Sequence, residues 1–231
     1  MVRMISSLLV SILLCSALAA QTAAVPSVQA NGNATITAKP DQAQLDVGVV
    51  TDGTTAQDAS QQNASLTATV QAALSKVLGS AGTMQTVSYY VSPRYSSMLG
   101  PSQPSIIGYT ASNTVRVTTT DLSQIGLLID AANQAGANSV GGLSFGLQNP
   151  EPLVEQALTQ ATKMASAHAA AIAAGLGGKL GAVLSAQEGS SYTPIVMGPI
   201  AAAGAGGVTT PVQTGTVTVY ATVTIQVALT Q

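Results

Sequence analysis

The residue types that most often perform chemistry are scarce in this sequence, beginning with histidine. His168 is the only histidine among 231 residues, so no pair of imidazoles can hold a metal ion. A Ser-His-Asp triad would have to recruit this one side chain from the middle of an alanine-rich segment. The simpler interpretation places His168 on a helix face, with its polar tip in water or at a subunit contact. We therefore predict no catalytic residue and no metal site.

The nine acidic residues are spread along the chain rather than grouped. Most stand where a turn or a helix end explains them. Glycoside hydrolysis needs two carboxylates that face each other across the substrate, and sequence spacing does not identify such a pair. The acidic residues are Asp41, Asp46, Asp52, Asp58, Asp121, Asp130, Glu151, Glu155 and Glu188. They give no reason to predict an enzyme.

Tyrosine and arginine, in contrast, are concentrated in one region. Tyr89, Tyr90, Arg94 and Tyr95 lie close together, and Tyr109 follows after a segment rich in serine, proline and glycine. Cross-strand pairing within a β-hairpin is one explanation for this cluster. A contact surface is the other, because tyrosine and arginine often anchor interfaces. As interface residues we single out Arg94 and Tyr95 first, with Tyr89 and Tyr109 beside them.

A glycine-rich run at residues 204–207 raises the question of a phosphate-binding loop. In a P-loop the glycines precede a Lys-Ser/Thr pair at the start of a helix, and this sequence offers neither. We expect a flexible or lumen-facing loop instead. No cofactor is predicted.

Composition excludes one class of partner and favours another. Charged residues make up 7% of the chain, against about 25% in an ordinary soluble domain. With a net charge of -2 there is no basic stripe to neutralise phosphates, so we predict no binding to nucleic acid. Hydrophobic residues reach 46% but aromatic residues only 3%. A surface with so little charge favours association, and we expect a homo-oligomer.

The first 24 residues have the three regions of a secretory signal peptide. Arg3 precedes an apolar run at residues 5–14, and small residues follow at 16–20, so we expect cleavage after Ala19 or Ala24. An uncleaved anchor is the alternative, but the run is shorter than the roughly 20 residues that span a bilayer. Lipid attachment at Cys15 is a further alternative. The signal predicts export to the periplasm, with a possible peripheral association with the outer membrane.

Strand and helix patterns alternate along the rest of the chain. Residues 28–38 and 43–49 alternate apolar and polar side chains around Lys39-Pro40-Asp41, which predicts a β-hairpin. Residues 54–78 then follow a helical period, with one stripe through Ala59, Asn63, Leu66, Val70, Ala73, Leu74 and Val77. Residues 86–95 and 107–119 predict a second hairpin with a long loop.

The remaining elements complete an α+β pattern. A helix begins after Asp121 and ends at Gly136, a strand covers 139–147, and an alanine-rich helix covers 150–174. A strand at 180–188, a Gly/Pro/Ala-rich loop at 189–213 and a β run at 214–229 follow. We predict a mostly antiparallel sheet, or sheets, with amphipathic helices packed on one face. Residues 25–231 then form one domain, or two ββα-type halves.

The order of these motifs resembles the SIMPL domain family, a family of unknown function that includes a bacterial periplasmic immunogen. The resemblance covers nearly all of residues 25–231, and departs from the family pattern at Ala30, Thr83 and His168. It is carried by Gly32, the run 39–43 with Gly48 and Val49, Ala59 and Asn63, Gln85 and Thr86, the runs 93–95, 108–113 and 130–138, Phe145, and the helix that ends at Gly175 before Leu180 and Gly181.

The resemblance implies an exported α+β domain of the periplasm or outer membrane, linked in some members to oxidative-stress tolerance and in one to ring-like homo-oligomers. It implies no agreed reaction. Our first hypothesis is therefore a non-enzymatic envelope protein that self-associates and protects against envelope or oxidative stress. The second is a periplasmic module that binds a small molecule or peptide in a cleft between sheet and helices. The third is an unassigned hydrolase that uses His168.

Overall fold

The computed structural model describes residues 25–96, 104–193, 195–196 and 210–231. The predicted signal peptide and the glycine run at 204–207 lie outside these residues. Strands and three α-helices make up the described chain, which confirms the predicted α+β class. In chain order the elements are β1 (Ser27–Ala38), β2 (Gln42–Gly53), α1 (Ala56–Leu78), β3 (Gly82–Tyr95), β4 (Ile106–Thr119), a 3₁₀ turn (Leu122–Gln124), α2 (Ile125–Gln134), β5 (Ser139–Gly146), α3 (Glu151–Gly175), β6 (Lys179–Thr193), β7 (Ile195–Val196) and β8 (Val217–Thr230).

The strands form two sheets. A five-stranded sheet has the order β3-β4-β2-β5-β7, and a three-stranded sheet has the order β1-β8-β6. The pairs β3–β4, β2–β4, β2–β5 and β5–β7 are all antiparallel. The long-looped hairpin predicted from residues 86–119 is confirmed as the pair β3–β4.

The first predicted hairpin is wrong, although both of its strands exist. β1 belongs to the three-stranded sheet, whereas β2 lies between β4 and β5 in the other. The Lys39-Pro40-Asp41 segment is tied to β5, because the Asp41 amide donates to the Gly146 carbonyl and the Asp41 carboxylate accepts from the Gln148 amide. The turn therefore passes the chain from one sheet to the other instead of folding it back on itself.

Two compact units share the chain, and each is assembled from separated stretches. Of the described residues, the smaller unit holds 25–33, 160–189 and 222–231, and the larger holds 34–96, 104–159, 190–193, 195–196 and 210–221. The larger unit holds the five-stranded sheet with α1 and α2. The smaller holds most of α3 and of the three-stranded sheet.

In the larger unit, α1 and α2 cover one face of the sheet, as predicted. The buried stripe of α1 consists of Ala59, Asn63, Thr67, Val70, Leu74 and Leu78. The alternating residues Leu45 and Val47 of β2 and Val117 of β4 face it, each at most 1% exposed. The alternating apolar side chains of the strands and the buried stripe of α1 thus pack together in one core.

The start of α1 and the end of α2 follow their sequence signals, whereas Asp121 caps the 3₁₀ turn that precedes α2. Thr55 caps α1 by accepting from the Asp58 amide at 3.1 Å, and its hydroxyl donates to the Asp58 carboxylate at 2.8 Å. Hydrogen bonds from the Thr55 and Thr54 hydroxyls lower the pKa of Asp58, because they stabilise its ionised form. Gly136 follows α2 at a φ of 102°, a conformation that glycine adopts without strain.

Asn63 fixes α1 on the sheet through hydrogen bonds to two strands. This fully buried side chain donates from Nδ2 to the carbonyls of Val49 at 2.8 Å and Ala111 at 3.1 Å. Its Oδ1 accepts from the Thr67 hydroxyl at 3.4 Å. Polar atoms this deeply buried need partners, so Asn63 sets both the height and the rotation of α1 above β2 and β4.

In the smaller unit, an alanine stripe brings α3 into direct contact with β1. Ala161, Ala165 and Ala169 are fully buried. A Cβ placed on Gly32 of β1 would overlap the Ala161 carbonyl oxygen and the Ala165 backbone nitrogen. Helix and strand backbones therefore approach as closely as small side chains permit. This close approach supplies packing contacts that large aromatic residues would make in another protein.

Replacing Gly32 with alanine is expected to destabilise the protein by at least about 1–3 kcal/mol, the usual cost of overpacking. The overlap involves backbone atoms of α3, which cannot rotate away as a side chain would. The free energy of unfolding, measured by urea titration, tests this. Gly189→Ala is the matched control, because a Cβ at Gly189 meets no atom within 4 Å. Equal stability of the two variants would contradict the close packing.

Asn63→Ala should lower the free energy of unfolding by about 2–3 kcal/mol, since it removes two buried hydrogen bonds to the Val49 and Ala111 carbonyls and leaves a cavity under α1. Urea titration measures the loss. Gln62→Ala changes a neighbouring exposed carboxamide of the same helix and should cost less than about 0.5 kcal/mol. If both variants lose the same amount, the hydrogen bonds of Asn63 do not hold α1 on the sheet.

Candidate functional site

Large apolar side chains are exposed along the β3–β4 hairpin. They are Val87, Tyr89, Tyr90 and Tyr95 of β3 and Ile106 and Ile107 of β4, each between 41% and 58% exposed. β3 is also an edge strand of its sheet. We call these six residues, together with Arg94, the hairpin surface. Exposed apolar side chains gathered in one place are typical of interaction sites.

Strand register divides the predicted interface residues between two faces of the hairpin. Tyr89 pairs with Asn113, and Tyr109 pairs with Pro93. Residues 109 and 113 lie an even number of positions apart on β4, so Tyr89 and Tyr109 project from the same face. This is the face that carries Ala111 and Val115 into the core beneath α1.

Arg94 and Tyr95 project from the opposite face. Arg94 pairs with Gly108, and Tyr95 pairs with Ile106 after a shift in register. Tyr90, which sequence reasoning did not single out, shares this face through its pairing with Ser112. Arg94, Tyr95 and Tyr90 therefore share one face of the hairpin, whereas Tyr89 and Tyr109 lie on the other. Whether either group contacts a partner stays a prediction.

Arg94 is held in place by Asp52 of β2. The Arg94 Nη1 lies 2.8 Å from the Asp52 Oδ2, with 46% and 57% of the two side chains exposed. Thr110 donates its hydroxyl to the other carboxylate oxygen at 2.5 Å. An ion pair this exposed adds little to stability. Its effect is to hold the guanidinium across β4, toward β2.

A second ion pair on the same sheet face was not found from the sequence. Arg116 donates through Nε and Nη2 to the two carboxylate oxygens of Asp46, at 2.7 and 2.8 Å. The hydrogen bonds and charge of Asp46 raise the pKa of Arg116. The two residues are direct partners across β2 and β4. Only the strand register, which the sequence does not show, could have revealed this pair.

His168 lies on the exposed side of α3, at the position that its helical period predicts. Its Nδ1 is 2.8 Å from the Asn31 carbonyl oxygen. Since a carbonyl only accepts, Nδ1 carries the proton in the neutral ring. Within the described residues no Asp or Ser side chain is hydrogen-bonded to this ring, so its contacts there do not form a triad.

Some of the acidic residues have the local role that their positions indicate, whereas others bond to residues far along the chain. Asp121 accepts from the Ser123 amide at 3.0 Å, and Asp130 accepts from the Thr210 hydroxyl at 2.7 Å. In the part of the chain that the structure describes, no group of three or more His, Cys, Asp or Glu residues is placed to hold a metal ion.

Antiparallel sheets with helices packed on one face define this chain as an α+β fold. Residues 28–227 match the model of the SIMPL family, described as a protein of unknown function (DUF541). Since the match covers most of the chain, the protein belongs to the SIMPL family, as its motifs predicted.

Two curated relatives carry the name 26 kDa periplasmic immunogenic protein. One comes from Brucella melitensis biotype 1 and the other from Brucella abortus strain S19. Each is 26% identical over 133 residues, which is 56% of this chain and 53% of the relative. The chain therefore spans about half the length of the curated relatives it matches. Both are named as immunogens rather than enzymes.

A likeness to a solved structure is too slight to carry an argument. A hydantoinase/carbamoylase family amidase from Burkholderia ambifaria superposes with a TM-score of 0.21 at 18% identity, covering 46% of this chain and 24% of the amidase.

Among the described residues, no helix has both the length and the apolar character to cross a membrane.

Arg116→Met should lower the free energy of unfolding by about 1 kcal/mol, because its pair with Asp46 is bidentate and half-buried. Arg94→Met should cost less than about 0.5 kcal/mol, since its pair is more exposed. Urea titrations at low and high salt measure both losses, and we expect the loss for Arg94 to vanish first as salt rises. A larger loss for Arg94 than for Arg116 would contradict this ranking.

Proposed function

We propose that this protein is an exported, non-enzymatic envelope protein that acts through self-association at its hairpin surface. The exposed apolar side chains that share a hairpin face with Arg94 carry this proposal: Tyr90, Tyr95 and Ile106. Tyrosine and arginine anchors at the centre of a patch, with smaller contacts around them, are the arrangement found in interfaces whose energy lies in a few residues.

The charge of the chain supports association between copies. With seven basic and nine acidic residues in 231, two copies repel each other only weakly. Edge strands add a second means of contact, since β3, β1 and β6 each end a sheet in the described chain. Closed rings remove such edges, so we favour a ring over an open chain of subunits.

The names of the relatives and the sequence support the compartment that we propose. The curated relatives are named periplasmic, and the first 24 residues have the pattern of an export signal. We place this protein in the periplasm, with peripheral attachment to the outer membrane, where an assembly of it would protect the envelope during stress. The family description assigns no function.

A binding module for a small molecule or peptide is the second candidate, favoured by a small cleft beside Tyr192. The hydrolase hypothesis gains no support from the geometry, because the one histidine is engaged with a main-chain carbonyl. We therefore rank it last.

Light scattering coupled to size-exclusion chromatography tests self-association directly. We expect the purified protein to elute as a discrete multiple of the subunit mass. The double variant Tyr95→Ser/Ile106→Ser removes a cross-strand apolar pair from the hairpin surface, and should dissociate at concentrations where the parent remains assembled. Each lost aromatic anchor commonly weakens an interface by about tenfold or more.

Tyr220→Ser is the matched control, since Tyr220 of β8 is 41% exposed but lies outside the hairpin. It should leave the assembly intact. A monomeric parent protein at high concentration would overturn self-association. Dissociation of the Tyr220 variant alone would show that the assembly uses another surface.

A further inference from the structure

A small cleft lies on the face of the five-stranded sheet opposite α1. It has a volume of about 160 Å³ and is lined by Gln42, Gln44, Ser144, Phe145, Gly146, Leu147 and Tyr192. We call it the Gln-Tyr cleft. Sequence reasoning expected a cleft between sheet and helices, whereas this one opens on the other side.

Strand register brings the polar groups of the cleft together. Gln42 pairs with Gly146, and Gln44 pairs with Ser144. Directly paired residues share a face of the sheet, and the intervening Ala43 and Phe145 are buried in the core. The two carboxamides and the hydroxyl therefore project outward side by side.

These polar groups are free to bind a ligand. Among the described residues, the side chains of Gln42, Gln44 and Ser144 have no hydrogen-bond partner within the protein. Each carboxamide offers two donors and one acceptor, and the hydroxyl offers one donor and two acceptor positions. An apolar ligand would leave all of these groups without water or a partner, at a considerable cost.

Tyr192 forms a fixed wall of the cleft. Its hydroxyl oxygen accepts the Leu147 amide proton at 2.6 Å, which ties β6 to the end of β5. The phenol retains its own proton for donation to a ligand. Its ring adds an aromatic surface beside the carboxamides.

Among the residues that the structure describes, the lining contains no Asp, Glu, Lys, Arg or His side chain. An ionic ligand would lose its hydration here without meeting an opposite charge. The volume is also below the roughly 300–1,000 Å³ of pockets that take drug-sized molecules. The ligand must then be small, neutral and rich in groups that both donate and accept hydrogen bonds, with an apolar face for the tyrosine.

A sugar ring meets all of these conditions. Vicinal hydroxyls donate and accept as carboxamides do, and the C–H face of a pyranose packs well against an aromatic ring. We propose that the Gln-Tyr cleft binds one neutral sugar ring, either as a free sugar or as the end of a polysaccharide. This site is separate from the hairpin surface, so its failure would leave the proposed self-association untouched.

Saturation-transfer NMR on the purified protein tests the proposal with glucose and N-acetylglucosamine as probes. We expect transfer to at least one of these neutral sugars and markedly less to glucuronate, which carries a charge that the cleft does not match. No transfer to either neutral sugar, or equal transfer to glucuronate, would overturn the proposal.

Variants locate the binding in the cleft. Gln44→Leu and Ser144→Ala should each weaken binding by about fivefold or more, as expected for the loss of a neutral hydrogen bond. Gln85→Leu, an exposed carboxamide of β3 outside the cleft, should bind as the parent does. Circular dichroism establishes that each variant is folded. Unchanged binding by both folded cleft variants would overturn the assignment.

An oligosaccharide distinguishes the two sources of the sugar. Tri-N-acetylchitotriose that binds more tightly than N-acetylglucosamine would identify a polysaccharide end as the ligand. Equal or weaker binding of the oligosaccharide would identify a free sugar.

Discussion

The antiparallel register between β2 and β4 is the constraint on which the larger unit depends. It places Leu45 and Val47 opposite Val117 and Val115 beneath α1, and it places Asp46 opposite Arg116 on the other face. Because side chains alternate along a strand, a slip of one residue would bury this ion pair and expose the core. Asn63 depends on the same register, since it bonds to carbonyls of both strands at once.

The core of this protein is packed largely by small side chains, with few large aromatic ones. With 3% aromatic residues, the core gains its density from close backbone approach, as between Gly32 and the alanines of α3. Such packing leaves the few tyrosines available for the surface, where four of the six described ones, Tyr89, Tyr90, Tyr95 and Tyr220, are prominently exposed. Because small residues fill the core, the large apolar side chains of the hairpin surface remain exposed.

Several charged side chains of this SIMPL protein bond to other groups within its own fold. Its described ion pairs join arginines to carboxylates of β2, Asp121 caps the 3₁₀ turn, and His168 bonds to a main-chain carbonyl of β1. What the described chain offers instead is an exposed tyrosine and isoleucine patch at a sheet edge and a neutral polar cleft on a sheet face. Both are built on paired strands, which hold their side chains at fixed spacing.

Local periodicity by itself determined the α+β class, the helix α1 with its buried stripe through Asn63, and the hairpin β3–β4, because these depend on residues near one another in the chain. Only the tertiary structure decided that β1 and β2 join different sheets, that Asp46 meets Arg116, and that Tyr192 closes a cleft against Leu147. These contacts join residues far apart in sequence. Their formation depends on strand order and register, which are set by the packing of the whole sheet rather than by any local pattern.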